Sequence, residues 1–216
     1  MANRGSRKSR FMEKYGRFCD LTLLGALFLA TCIPLITAGA SVAALYHAIT
    51  KCFVRDEGYL YKTYMAAWKS NMKQGIALTL IDALYAGIGA LDIYIVGKLV
   101  EAGSLTPAFQ YVLPLYFLPL LLVLPWEFLY LSRFNDTVGN ILKNSLRIGL
   151  SHPWITLLGI LILAGCLLIG NTLILAPLLI FISAPLMLLY SKKTDPVLLE
   201  IAKNTEGFDP NAWYNR

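Results

Sequence analysis

The sequence predicts an all-α protein, a polytopic helical membrane bundle of about six membrane segments with both termini cytoplasmic. Three observations carry this reading. Hydrophobic residues make up 57% of the 216 residues and charged residues 15%, with a mean hydropathy of +0.59. An average soluble domain is about 45–50% apolar and about 25% charged. Second, three runs contain no Asp, Glu, Lys or Arg: Leu21–Thr50, Ala102–Trp126 and Ile148–Ser191, of 30, 25 and 44 residues. A stretch of about 18 such residues suffices for a membrane helix. Third, the cations cluster between these runs in a pattern that fixes orientation, as shown below. The composition excludes a soluble globular domain, a nucleic-acid-binding module and a disulfide-stapled secreted domain.

The elements follow in chain order. Residues 1–20 form a basic cytoplasmic N-terminus carrying Arg4, Arg7, Lys8, Arg10, Lys14 and Arg17. The first apolar run holds Pro34 near its middle, followed by Thr37-Ala38-Gly39-Ala40. Proline removes a helix hydrogen bond and glycine loosens the backbone. We therefore expect helix 1 over Arg17–Pro34, a break at Pro34–Gly39 and a short second helix over Ala40–Val54. Fifteen residues span roughly 22 Å at 1.5 Å per residue, short of a hydrocarbon core of about 30 Å. The next spans are Gln74–Gly97, Ala108–Leu131, Pro153–Gly170 and Thr172–Tyr190. The last two come from the 44-residue run, divided at Asn171. Pro153 suits the first turn of a helix. Segments 56–73 and 132–147 read as cytoplasmic amphipathic helices. The first has an apolar stripe of Tyr61, Met65, Trp68 and Met72, and the second one of Val138, Ile141, Leu142 and Ser145. The membrane domain covers 21–190, and 191–216 is a cytoplasmic tail.

The number of crossings within Leu21–Thr50 decides the topology. Lys and Arg number six in residues 1–20, five in 51–73, one in 98–104, three in 132–147 and four after Tyr190. A single crossing puts most of them outside, against the positive-inside rule. Two crossings, or a dip and return, put eighteen of the 19 inside. Ala38-Gly39-Ala40 has the small-x-small form of a signal cleavage site, but cleavage there would leave the five-cation segment outside. Faint self-similarity links Lys69–Gly75 to Lys143–Gly149 at an offset of 74 residues, each preceding a membrane helix. It fits either a parallel duplication or two basic amphipathic helices.

Membrane carboxylates are the candidate chemistry. Asp82 and Asp92 stand in one span, and with Tyr85 and Gly89 they are expected to share a stripe facing protein or a wet cavity. A central carboxylate costs roughly 2.5–3.5 kcal/mol on insertion scales. The functional reading is a proton or cation site, and the plainer one is hydrogen bonding within the bundle. Glu127 lies six residues before Arg133, and is expected to snorkel or pair locally; with Asp82, Tyr85 and Asp92 it makes up the candidate intramembrane polar site. His47 and His152 are single; His152, beside Pro153, suits a helix start. Cys19, Cys32, Cys52 and Cys166 make no C-x-x-C pair, and read as small buried hydrophobes. No nucleophile elbow, phosphate loop or dinucleotide turn is present in the sequence. The chain is accordingly expected not to be an enzyme, and to need no cofactor and no metal.

Pro34-x-x-Thr37-x-Gly39-x-Ser41-x-x-Ala44-Leu45-Tyr46, then Arg55-Asp56-Glu57, then Trp68-Lys69-x-Asn71-x-Lys73-Gln74, resembles the YesL family of bacterial membrane proteins. The specific part lies in the N-terminal third. The rest matches in length and in the layout of its apolar segments. The family is a domain of unknown function that tends to be encoded beside carbohydrate ABC importers and glycan-degrading enzymes. The resemblance implies an accessory subunit of a sugar or oligosaccharide importer in the bacterial cytoplasmic membrane. Its partners would be the ABC permease subunits, and through them an ATPase and a substrate-binding protein, within the lipid bilayer and without nucleic acid. The expected partner interface is Pro34, Thr37, Gly39, Ser41, Ala44, Tyr46, Trp68 and Asn71, where small residues permit close helix approach. The alternative is an independent small transporter or channel using the Asp82/Asp92 stripe.

Overall fold

In a computed structural model, residues 3–106, 108–134, 136–172 and 176–203 are described. Among them the chain forms eight α-helices and no strand. They are α1 (Asn3–Cys32), α2 (Ala38–Ile49), α3 (Leu60–Glu101), α4 (Ala108–Val112), α5 (Leu118–Leu131), α6 (Val138–Ser151), α7 (Pro153–Asn171) and α8 (Leu179–Lys203). The stretches Leu60–Glu101, Leu113–Leu131 and Pro153–Asn171 are long and apolar enough to cross a membrane.

The expected break stands where proline demands it. Pro34 is extended, with φ −75° and ψ 105°, and a single 3₁₀ turn over Leu35–Thr37 leads into α2. The Thr37 hydroxyl lies 2.7 Å from the Thr31 carbonyl and 2.8 Å from that of Pro34. It thus serves carbonyls that the end of α1 leaves without helical partners. After α2 the chain loosens into a π turn over Thr50–Val54. It then reverses through Asp56 and Gly58, which have φ of 55° and 88°.

Two sequence expectations are corrected here. Segment 56–73 is not a separate amphipathic helix. From Leu60 it is continuous with the following span, in a 42-residue α3 roughly 63 Å long at 1.5 Å per residue. No proline or capping residue separates Lys73 from Gln74, so nothing ends the helix. Its inward face is also rotated from the expected stripe. Tyr64 and Ala67 are buried, whereas Tyr61 is exposed. The last helix likewise does not end at Tyr190. It runs on to Lys203, and Val197, Leu198 and Ala202 join the core.

Packing is concentrated at one end of the bundle. Buried residues come mainly from α2, the first half of α3, the second half of α5, α6 and α8, joined by Leu24 of α1 and by Thr156 and Gly159 of α7. At its centre Trp126 is fully enclosed and donates its indole N–H to Thr156 Oγ1 at 2.8 Å. The Thr156 hydroxyl in turn lies within bonding distance of the carbonyls of Gly149 and His152, which pins the elbow between α6 and α7 onto α5. Beyond this end the surface is apolar: Leu84 and Leu91 on α3, Leu115 on the turn before α5, and Leu161, Leu167 and Leu168 on α7 are all exposed. Side chains of this kind, facing outward along helices of membrane length, are a surface made for lipid.

Glycines set the closest helix crossings. A Cβ on Gly75 would stand 2.6 Å from the backbone nitrogen of Ala40, and one on Gly39 would meet Phe128 and Thr79. The Gly39 N–H donates to Thr79 Oγ1 at 3.1 Å, and that hydroxyl donates to the Gly75 carbonyl at 2.8 Å. Gly149, the position matching Gly75 in the faint repeat, lies against the Leu122 carbonyl. The two glycines thus play one packing role at two crossings. The repeat ends there: α6 breaks at His152, and α3 continues.

Gly75→Val is expected to lower stability by about 1–3 kcal/mol or more, as over-packing does. Gly87, with nothing near its missing Cβ, is the control: Gly87→Ala should leave stability unchanged or raise it by up to about 1 kcal/mol. Thermal unfolding of the two variants in detergent compares them directly.

Candidate functional site

The polar residues of the candidate stripe separate along α3. Asp82, Tyr85 and Gly89 face the α5 side. Tyr85 donates its hydroxyl to the Tyr116 carbonyl at 2.7 Å and stacks on the Tyr116 ring at 4.3 Å between centroids. Gly89 is buried against Tyr116 and Phe117. Asp92 does not join them and is exposed. Ten residues make about 2.8 turns, so the stripe has rotated away by Asp92, and the contact with the Tyr116–Phe117 turn is made at Gly89.

Asp82 instead meets a residue from another helix. Glu127 of α5 faces it, and each carboxyl has the other as its ionisable neighbour. This corrects the expectation for Glu127. It neither snorkels nor pairs with Arg133. Its exposure is 0%; its carboxyl is within hydrogen-bonding reach of Asp82, but with both groups ionised neither of its oxygens finds a donor among the described residues. Asp82 Oδ2 is also buried without one. A small cavity lined by Asp82, Tyr85, Pro119, Leu120, Val123 and Leu142 adjoins the pair, with a volume of about 140 Å³. The cavity thus lies between α3, the start of α5 and Leu142 of the amphipathic α6.

The second polar assembly brings opposite charges together. Arg133 has a contrasting fate to Glu127. Its guanidinium donates to Asp195 Oδ1 at 2.8 Å, and Arg55 donates to Asp195 Oδ2 at 3.0 Å. The three side chains are 3%, 8% and 11% exposed for Arg133, Arg55 and Asp195. One carboxylate of α8 therefore ties the turn after α2 to the end of α5. Sequence reading missed Asp195, which lay in a segment read as a tail. The signal was there: Asp195 precedes Pro196 in an apolar stretch, Val197–Leu199. A third polar knot caps α6. Asp136 Oδ1 accepts from the Thr137 N–H at 2.8 Å and from Asn140 at 2.7 Å, and Gln74 of α3 donates to the Asp136 carbonyl at 2.8 Å.

Residues expected at a partner interface divide by burial. Gly39, Ser41, Ala44 and Tyr46 are enclosed within the chain. Their small side chains serve the crossing of α2 with its own neighbours. Trp68, Asn71 and Thr37 are half-buried, and Pro34 is exposed beside Ile33, Leu35 and Ile36. The cysteines are free, with Cys19 exposed and the other three half-buried rather than in the core. His47 Nδ1 lies 3.2 Å from the Ser132 carbonyl, and His152 sits at the junction of α6 and α7. Among the described residues no three of His, Cys, Asp and Glu gather as a metal site would require. An apolar cavity of about 180 Å³ lies among α1, α2, α5, α7 and α8, with Ser183 and Tyr190 in its wall.

A family model described as "Protein of unknown function, DUF624" matches residues 21–93, about a third of the chain. The YesL family is a DUF624 family. The matched stretch holds the Pro34 break, the Gly39–Gly75 crossing and Asp82, while Glu127, Arg133 and Asp195 lie outside it. No curated protein and no solved structure matches the chain.

Asp195→Ala leaves two buried guanidinium groups without their shared carboxylate, and should destabilise the fold by about 3–5 kcal/mol, the cost of breaking a buried charge pair from one side. Lys98–Glu101, an exposed pair at 2.8 Å, is the reference: Glu101→Ala should change the unfolding midpoint hardly at all. Melting curves of both variants in one detergent measure the contrast.

Proposed function

We propose that the chain is an accessory or regulatory integral membrane subunit of an ABC-type carbohydrate importer, docking on its permease subunits. The resemblance of the N-terminal third to the YesL family supports this reading. The structural observation that carries it is Asp92. This carboxylate is exposed on α3 among exposed Leu91, Ile93 and Tyr94. Hydrocarbon is a poor neighbour for it, at roughly 2.5–3.5 kcal/mol for a central carboxylate, whereas a polar group on a neighbouring membrane protein can satisfy it. With Gly39, Ser41, Ala44 and Tyr46 committed inside the chain, the docking face shifts to this outer half of α3 and to the Ile33–Ile36 corner.

The same proposal places the chain in the bacterial cytoplasmic membrane with both termini inside. The cation distribution supports it, and so does the structure's gathering of Arg55, Arg133 and Asp195 at one end. α1 and α2 then form a short pair that enters and returns, with the Pro34 break at its far end. A second reading, an independent small transporter, is favoured by one observation: the facing Asp82 and Glu127.

Gentle affinity purification from the native host, with mass spectrometry of associated chains, tests the first reading. Stoichiometric permease subunits are expected, with recovery reduced several-fold for Asp92→Leu. Recovery of the chain alone, or only with copies of itself, would refute stable docking. Orientation is tested separately in a cysteine-free background. Ser104→Cys should react with an impermeant maleimide added to intact cells, and Lys193→Cys only after the membrane is opened.

A further inference from the structure

Two carboxyl groups face each other where α3 crosses α5, and among the described residues no basic side chain stands with them. From the elements around them come Asp82 and Tyr85 of α3, Glu127 of α5 and apolar Leu142 of α6. The Tyr85 hydroxyl is already engaged with the Tyr116 carbonyl. No Lys, Arg or His contributes to the interaction of either carboxyl among the described residues. The nearest charged assembly, Arg133 with Arg55, is held by Asp195.

Like charges brought together in a medium of low dielectric are not both tolerated bare. Glu127 is wholly enclosed, and with both carboxyls ionised neither of its oxygens finds a donor among the described residues. Those oxygens call for something positive that the chain does not supply. The adjoining cavity has Asp82 in its wall, together with Leu142 of α6. We infer that Asp82 and Glu127 form a binding site for one small monovalent cation, either a proton shared between the carboxyls or a desolvated alkali ion held by their oxygens. Both ligands supply the same thing, a single positive charge at the crossing of two helices. This goes beyond docking, which it does not require, and deepens the transporter reading by naming the ligand class.

The test uses the full chain in lipid nanodiscs. Thermal unfolding is followed in two series: Na⁺ or K⁺ replacing choline at constant ionic strength and pH, and pH varied in choline alone. A ligand bound only by the folded state raises the midpoint with the logarithm of its concentration. The wild-type midpoint is expected to respond in one series beyond the response of Glu127→Gln and Asp82→Asn, and Asp92→Asn should behave as wild type. A response to alkali ions identifies a bound metal ion, and a response confined to pH identifies the shared proton. Identical behaviour of wild type and both variants in both series overturns the site. Should Glu127→Gln fail to fold, Asp82→Asn, at a half-buried position, carries the comparison. Uptake assays in vesicles are separate: absence of flux with binding intact would remove the transporter reading and leave the site.

Discussion

The contact of α2 with α3 at Gly39 and Gly75 is the constraint on which the rest of the bundle depends. α2 is only 12 residues long, too short to hold a place by itself. It is held because two backbones touch, with a hydroxyl from Thr79 bridging them. From that position α2 meets α5 through Phe128 and reaches α8 through the buried Tyr46 side. Had α2 been displaced by even one methyl group at Gly75, the helices on its other faces would have lost their common surface. Cores packed at crystal-like density do not absorb such shifts.

From this crossing follows the division of the molecule into a packed end and an open end. Toward the basic side, helices converge on α2, and large side chains such as Trp126, Tyr46 and Tyr64 are fully enclosed. Away from it α2 is absent, so α3, α5 and α7 have fewer protein neighbours and turn leucines and isoleucines outward. The Tyr85–Tyr116 stack and Gly89 are ties that still hold α3 to the chain before α5 there. Lipid supplies the remaining contacts. A membrane removes the hydrophobic penalty for such a surface, so the chain needs a tight core only where its loops and short helices would otherwise meet water.

Sequence alone made much of this legible because the strongest signals are local. Pro34 ends α1 for a reason contained in one residue, and Pro153 starts α7 likewise. Long charge-free runs mark the apolar helices. What was not legible depends on three-dimensional neighbours. The junction of the segment at 56–73 with the following span was read as a boundary because composition changes at Gln74, but a change of polarity does not break hydrogen bonds along a helix. Gly39, Ser41 and Ala44 were read as an outward face because small residues permit close approach. They do permit it, and the neighbour proved to be α3 of the same chain. Asp82 and Glu127, 45 residues apart, could be joined only once the crossing of α3 and α5 was known. Asp92, matched to Asp82 by spacing on one helix, illustrates the converse error: shared helix faces persist for about two turns before 3.6-residue geometry carries them apart.

The two carboxylate sites obey one rule with opposite outcomes. Asp195 is deep in the basic end, and the chain spends two arginines from distant segments to surround it. Those bonds join three charged side chains from distant segments at one carboxylate. Glu127 is at least as enclosed and Asp82 is half-buried beside it, yet they receive no such partners among the described residues. A fold that supplies compensation so fully at one buried acid has the means to do so at another. Where it does not, the balancing charge must come from outside the chain, and a site that depends on a mobile charge responds to the concentration of that charge. The bundle therefore contains one fixed electrostatic joint, which holds α8 against the ends of α2 and α5, and one exchangeable joint, which sits between α3 and α5. The exchangeable joint lies within one turn of the α2 crossing along both helices, Asp82 three residues after Thr79 and Glu127 one residue before Phe128. Occupation of the pair thus bears directly on the contact that organises the whole packed end.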